Sequence, residues 1–181
     1  MKKSSILLLC FALGFSACKK WVEEEIGEEN ELITTIKLNF KNGNDVKSFT
    51  YKDLDGDGGA APVIDKISLA ANTNYDLSVE FLDESKSPAV SITEEVSSES
   101  DEHLVLFSPS STSLGTYSYS DKDVNLLPVG LKGKYSTISA GTGMLKVQLR
   151  HQPPINGKNS KDGTSIPGSD DINIDFALEV K

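Results

Sequence analysis

Cysteine is almost missing from this chain, which has only Cys10 and Cys18 among its 181 residues. No Cys-x-x-Cys pair occurs, so zinc sites built on that spacing are excluded. Histidine is equally rare, and no His-x-x-x-His or His-Glu-x-x-His spacing occurs. The longest apolar run, residues 6–15, is too short for a transmembrane helix, which needs about 20 residues.

Basic residues are also in short supply. The chain has 18 Lys and Arg against 27 Asp and Glu, for a formal net charge of −9. Binding to nucleic acid or to an anionic membrane needs a positively charged protein surface, so neither ligand is expected. Hydrophobic residues make up 38% and charged residues 25%, which is typical of a globular protein of one domain.

The N-terminus has the features of a secretory signal. Lys2 and Lys3 precede the apolar run, which closes with the tetrapeptide Phe15-Ser16-Ala17-Cys18. This tetrapeptide resembles a bacterial lipobox, which implies cleavage before Cys18 and attachment of a diacylglycerol and a fatty acid such as palmitate. Residues 1–17 are then the signal peptide. An ordinary signal peptide cut nearby, or a plain membrane anchor, is the alternative.

Residues 18–31 follow as a lipidated, acidic tether. Lys19 stands where lipoproteins kept in the inner membrane often carry aspartate, so the resemblance implies an outer-membrane location, on the periplasmic side or the cell surface. The acidic stretch resembles a surface-export signal of some Bacteroidota lipoproteins, or is a solvated, self-repelling tether. With Cys10 removed and Cys18 acylated, no disulfide and no cysteine nucleophile remain.

From residue 32 onward the hydrophobic pattern has period two. Strict alternation predicts half-buried antiparallel strands, because successive side chains of a strand point to opposite faces. The pattern predicts an all-β fold, a single antiparallel β-sandwich over residues 32–181, with no sustained helical period. The clearest strands are 36–40, 75–81, 145–150 and 172–180; weaker ones are 46–52, 64–69, 89–96, 103–108, 115–120 and 135–139.

One segment resembles the strand–turn–strand of fibronectin type III and related immunoglobulin-like domains. Leu69–Val79 places Tyr75 at the start of a strand, after a turn rich in Asn and Thr. The resemblance implies an immunoglobulin-like sandwich in which the ring of Tyr75 packs at the corner. The acidic stretch 83–102 and the long loop 152–171 are expected to be binding surfaces.

Three aspartates alternate in one turn-rich segment. Asp53, Asp55 and Asp57 precede Gly58, as in the first half of an EF-hand loop, and their oxygens suit calcium. Ile64 occupies the twelfth position, where an EF-hand needs glutamate, so an EF-hand is excluded. Either a calcium site in a β-loop or a solvated acidic turn fits the sequence.

The two histidines offer a second candidate site. His103 follows Asp101 and Glu102, and His151 ends a predicted strand. Together these four residues are a candidate ligand face. The simpler interpretation is that each histidine closes a core strand and bonds to backbone. Tyr117 and Tyr119 either stack on a ligand or face the core.

The motifs of common enzyme classes are missing, including Gly-x-Ser-x-Gly and a complete P-loop. Overall, the chain resembles small outer-membrane lipoproteins of the Bacteroidota, often found beside TonB-dependent uptake receptors. The resemblance implies a non-enzymatic binding or accessory module that meets a membrane-protein partner or a small ligand. A carbohydrate-active enzyme using paired carboxylates and a purely structural envelope protein are the alternatives.

Overall fold

A computed structural model describes residues 32–56 and 58–181. The predicted signal peptide, Cys18, the tether and Asp57 lie outside the described residues. The elements follow in this order: β1 (Thr35–Asn42), β2 (Asp45–Lys52), β3 (Val63–Ile64), β4 (Ile67–Leu69), β5 (Asn74–Asp83), β6 (Val90–Ser91), α1 (Ile92–Ser98), β7 (His103–Pro109), β8 (Thr116–Tyr119), β9 (Lys132–Ser136), β10 (Gly141–His151) and β11 (Ser169–Val180).

The strands form two sheets, which confirms the all-β sandwich. Sheet A has the order β3-β2-β1-β5-β9-β8, with β6 also paired to β5, and sheet B has the order β4-β11-β10-β7. Every pair is antiparallel except β4 with β11, which is parallel. This pair arises because the chain leaves sheet A after β3 and enters sheet B at its edge. The immunoglobulin-like type stays a prediction.

One hydrophobic core fills the space between the sheets. The inward side chains of β1 and β5 pack with those of β10 and β11, as the period-two pattern requires. Phe40 lies at 0% exposure and makes edge-on contacts with the rings of Tyr75 and Tyr135. Tyr75 is buried at the end of the sandwich, where its hydroxyl accepts a 3.0 Å hydrogen bond from the Ala70 N–H.

The expected strand over 89–96 is wrong for most of its length, because the chain there forms α1. Ile92 and Val96 are the buried residues of this helix, and their spacing of four places both on one helical face. The helix lies along the part of β5 that β9 does not reach. There the Thr93 hydroxyl bonds to both the N–H and the carbonyl oxygen of Phe81.

Most of the long connections gather at one end of the sandwich. The chain enters there at Leu32–Thr34, and segments 53–62, 84–102, 120–131 and 152–168 close the same end. We call this the loop end. The opposite end carries the tight β1–β2 turn at Gly43 and the last residue, Lys181, which bonds to Ala71.

Candidate functional site

The two histidines meet at the loop end. β7 and β10 pair in a register that sets His103 directly opposite His151. Their rings stack with centroids 4.9 Å apart and planes 10° from parallel. Glu102 precedes His103, and its carboxylate lies 3.8 Å from the Nε2 atom of His151. The structure therefore brings together three of the four residues predicted as a ligand face, and Asp101 adjoins them in the turn before β7.

His103 is the buried member of the pair. Its ring Nδ1–H donates to the Glu99 carbonyl oxygen at 3.1 Å, which sets the tautomer. The Nε2 atom lies 3.8 Å from Asp171 Oδ2, and both side chains are 2% exposed. Burial lowers the pKa of His103, and the nearby His151 and Lys161 act in the same direction. His103 is thus neutral at pH 7 and closes the end of a core strand.

Glu102 and His151 form the accessible part of this cluster, with side chains 28% and 17% exposed. Burial raises the pKa of Glu102, and the neighbouring Glu99 and Asp101 carboxylates raise it further, against the effect of His151. The 3.8 Å separation of the pair is longer than a hydrogen bond. Both groups therefore keep hydrogen-bonding capacity for a polar ligand. Across residues 32–56 and 58–181, no cluster of three or more His, Cys, Asp or Glu side chains has the geometry to hold a metal.

Lys161 joins three loops beneath this surface. Its ammonium group donates to Asp123 Oδ2 at 2.8 Å and to the Ser100 carbonyl oxygen at 2.7 Å. The side chains of Lys161 and Asp123 are 1% and 0% exposed. Burial works to raise the pKa of Asp123, but the hydrogen bond from Lys161 and two backbone N–H donors hold it below its usual value. Segments 84–102, 120–131 and 152–168 are thereby tied into one surface.

The loop 152–168 has a folded base in spite of its Pro, Gly and Ser content. Gln152 is fully buried, and its side-chain amide donates to the carbonyl oxygens of Thr164 and Pro167 at 2.8 and 3.0 Å. Arg150 donates to the Gly168 carbonyl oxygen and to Asp170 at the other side of the base. β11 starts at Ser169, three residues before the predicted strand, because Ser169 and Asp170 still pair with His151 and Arg150 of β10 beyond a shift in register.

In the acidic turn, the described aspartates cap backbone groups. Asp53 accepts a 2.9 Å hydrogen bond from the Gly56 N–H, and Asp55 accepts one of 2.8 Å from the Ala60 N–H. The bond from Ala60 is the main cause of the lowered pKa of Asp55. Calcium binding stays a prediction because Asp57 lies outside the described residues. Titration calorimetry decides it, since a calcium site gives heat at millimolar ion and a solvated turn gives none.

The tyrosine pair is split between core and surface. Tyr117 packs against Phe107 with centroids 4.5 Å apart and donates to the Gly130 carbonyl oxygen. Burial raises the pKa of Tyr117. Tyr119 is 38% exposed and meets the Tyr117 ring edge-on. Tyr117 therefore serves packing, and Tyr119 is the more exposed ring of the two.

Sequence reasoning missed a groove on the outer face of sheet A. It is an open groove of about 600 Å³ that crosses β1, β2, β5 and the start of β9. Its residues are Asn39, Lys41, Val46, Asp76, Leu77, Ser78, Ser120, Lys132 and Gly133. Outward-facing lysines on strands were the only signal in the sequence, and a solvated sheet face produces the same pattern.

Comparison with known proteins adds no assignment. No family model, no curated protein and no solved structure matches the chain. Among the described residues, no helix is both long and apolar enough to cross a bilayer.

Proposed function

We propose that this chain is an envelope lipoprotein whose sandwich acts as a non-enzymatic binding or accessory module, beside an outer-membrane uptake receptor. Lipid on Cys18 attaches it to the outer membrane through residues 18–31, which lead into the sandwich at the loop end. Several acyl chains anchor a protein firmly, because each buried CH₂ contributes about 0.8 kcal/mol.

The observation that carries the binding role is the buried ion pair of Lys161 with Asp123. It holds three loops in one arrangement before any ligand arrives, and a preorganised surface loses less conformational entropy on binding. The exposed charged groups of this surface are mainly acidic and include Glu94, Glu95 and Glu99, and the half-buried Asp101 and Glu102 lie beside them. The proposed partner is therefore cationic, either a small ligand or a basic face of a receptor.

We also propose that the chain does not catalyse a reaction at the loop end. Beneath the loop end, Lys161 bonds to Asp123 and Ser100, and the buried His103 imidazole is committed to the Glu99 carbonyl oxygen. Within the histidine cluster, His151 and Glu102 are the partly exposed members, and no nucleophile motif accompanies them. Such an arrangement favours recognition over acid–base chemistry.

Mass spectrometry of the chain from its native membrane tests the anchor. We expect a mature N-terminus at Cys18 carrying diacylglycerol and an acyl group, and no lipid in Cys18→Ser. An unmodified Cys18 in the wild type would contradict the lipoprotein proposal.

A glycan array combined with a turnover assay tests the module. Binding without product release supports it, whereas turnover that disappears in Glu102→Gln establishes an enzyme. Capture of outer-membrane components should weaken between about 0.05 and 0.5 M salt, because exposed charge pairs are screened over that range. Capture that is independent of salt would remove the electrostatic part of the proposal.

A further inference from the structure

The groove on the outer face of sheet A differs in charge from the rest of the molecule. The outward-facing charged side chains of β1, β5 and β9 are Lys37, Lys41, Asp76, Glu80, Lys132 and Lys134. Four lysines thus face two acids, in a chain whose formal net charge is −9. Such a reversal of sign favours an anionic ligand on this face.

Two of these lysines are held in place by neighbouring carboxylates. Lys134 pairs with Asp76 at 2.8 Å, and Lys37 lies 4.0 Å from Glu80. Lys41 and Lys132 both line the groove, and neither forms an ion pair within 4.0 Å among the residues that the structure describes. Lys41 stands opposite Asp76 in the strand register, and it adds to the effect of Lys134 in lowering the pKa of that carboxyl. Two exposed ammonium groups are therefore available to a ligand in the same groove.

Asp76, which is paired with Lys134, and the apolar residues Val46 and Leu77 also line the groove, and the remaining side chains supply neutral hydrogen-bonding groups. Asn39 is fixed by its neighbours, since its Oδ1 accepts from the Ser48 hydroxyl at 2.6 Å and its Nδ2 donates to Glu80 at 2.8 Å. Hydroxyls of Ser78 and Ser120 also line the groove, and none of its residues is aromatic. These groups suit a ligand with many hydroxyls that binds without ring stacking.

We propose that this groove binds an acidic saccharide, a sugar chain that carries carboxylate or sulfate groups. Its volume of about 600 Å³ lies within the usual range of small-molecule sites. Lys41 and Lys132 contact the acidic groups, and Asn39, Ser78 and Ser120 bond to the hydroxyls. Single-stranded nucleic acid is a poorer fit, because its bases need aromatic platforms for stacking.

The site lies on a face of sheet A, whereas the proposed receptor surface is the loop end. The inference extends the proposed binding role without depending on the lipid or on the tie made by Lys161. If the groove binds no acidic saccharide, the proposals for the lipid anchor and for the loop end are unaffected. If either of those proposals is wrong, binding in the groove is still expected.

Isothermal titration of the full chain in detergent tests the proposal with three galactose-based probes. These are oligogalacturonate for carboxylate, κ-carrageenan oligosaccharide for sulfate, and uncharged galactan oligosaccharide. We expect binding of at least one acidic probe, weakened by salt, and at least tenfold weaker binding of the neutral probe. Lys41→Gln and Lys132→Gln should each reduce affinity about tenfold, because each removes a charge-assisted bond.

Lys146→Gln is the control for the loss of one positive charge, since Lys146 points outward from β10 on the opposite sheet, where it pairs with Asp175. It should bind as the wild type does. Ser78→Tyr keeps both groove lysines but fills the groove, and should abolish binding. The proposal is wrong if neither acidic probe binds at millimolar concentration, if Lys146→Gln weakens binding equally, or if a single-stranded oligonucleotide binds more tightly than both acidic probes.

Discussion

Replacing Lys161 with methionine should destabilise the fold far more than loss of an exposed lysine. The substitution keeps the length of the side chain but leaves the carboxylate of Asp123, at 0% exposure, without its counter-ion. Removal of one partner of a buried ion pair costs about 3–5 kcal/mol. For a domain of this size, that corresponds to a fall of about 10 °C in the midpoint of thermal unfolding.

Urea unfolding followed by far-ultraviolet circular dichroism measures the effect, with Lys134→Met as the matched control. Lys134 and Asp76 form an ion pair of the same 2.8 Å length, but their side chains are 62% and 68% exposed. An exposed pair contributes about 0–1 kcal/mol, so this control should stay close to the wild type. The comparison isolates burial as the cause.

A second substitution shows whether the loss comes from the unpaired charge. Lys161→Met combined with Asp123→Asn removes that charge and keeps an acceptor for the N–H groups of Asn125 and Leu127. We expect it to recover at least half of the lost stability. Equal effects of Lys161→Met and Lys134→Met, or no recovery in the double variant, would refute the role assigned to the buried pair.

The same pair determines a pH dependence. The pKa of Asp123 is lower in the folded chain than in the unfolded chain. The ion pair therefore contributes fully to the free energy of unfolding above the unfolded pKa of about 3.9, and this contribution is lost as the pH falls through the lower, folded pKa. In Lys161→Met, burial without the lysine should instead raise the pKa of Asp123. Protonation of Asp123 then removes the cost of a buried, unpaired charge. The difference in the free energy of unfolding between Lys161→Met and the wild type should therefore shrink from pH 7 to about pH 4.

Two further predictions concern other buried positions. Gly130→Ala should destabilise the chain by about 3 kcal/mol or prevent folding, because φ is +93° and a Cβ would lie 2.4 Å from the Val105 carbonyl oxygen. Gly43→Ala, at φ +60° with nothing within 4 Å, should lose only about 1 kcal/mol, and equal losses in urea unfolding would contradict this reasoning. The lowered pKa of His103 predicts that stability falls as the pH drops below about 6.5, since the unfolded chain takes up a proton that the folded chain excludes. In His103→Gln the urea midpoint should change less between pH 7.5 and 6 than it does in the wild type. An equal change in both proteins would show that another group causes the pH dependence of stability.

The strands that could be predicted are those whose own side chains alternate. Tyr75–Phe81 lies within β5, Leu145–Arg150 within β10 and Ile172–Val180 within β11. Alternation is a local property, because each side chain's face follows from its place in the strand alone. The acidic turn and the histidines at strand ends could be located from the sequence for the same reason.

Prediction from the local hydrophobic pattern was wrong where a helical period and a strand period overlap, and incomplete where the strand alternation is interrupted. Ile92 and Val96 satisfy a helix, yet the surrounding residues 89–96 also read as a strand, and packing against β5 decides for the helix. β9 begins at Lys132, three residues before the predicted strand. The prediction started late because Gly133 breaks the apolar alternation. Gly133 has to be small there, since a Cβ would lie 2.3 Å from the ring of Tyr117.

The sequence by itself determined the fold class and the position of most strands, because hydrophobic periodicity is set by neighbours along the chain. Only the tertiary structure decided that His103 stacks on His151, and that Lys161 reaches Asp123 and Ser100, which are 38 and 61 residues away. In the sequence Lys161 is indistinguishable from a solvated lysine. Its burial, like the groove between Lys41 and Lys132, depends on strand register and loop packing over long distances.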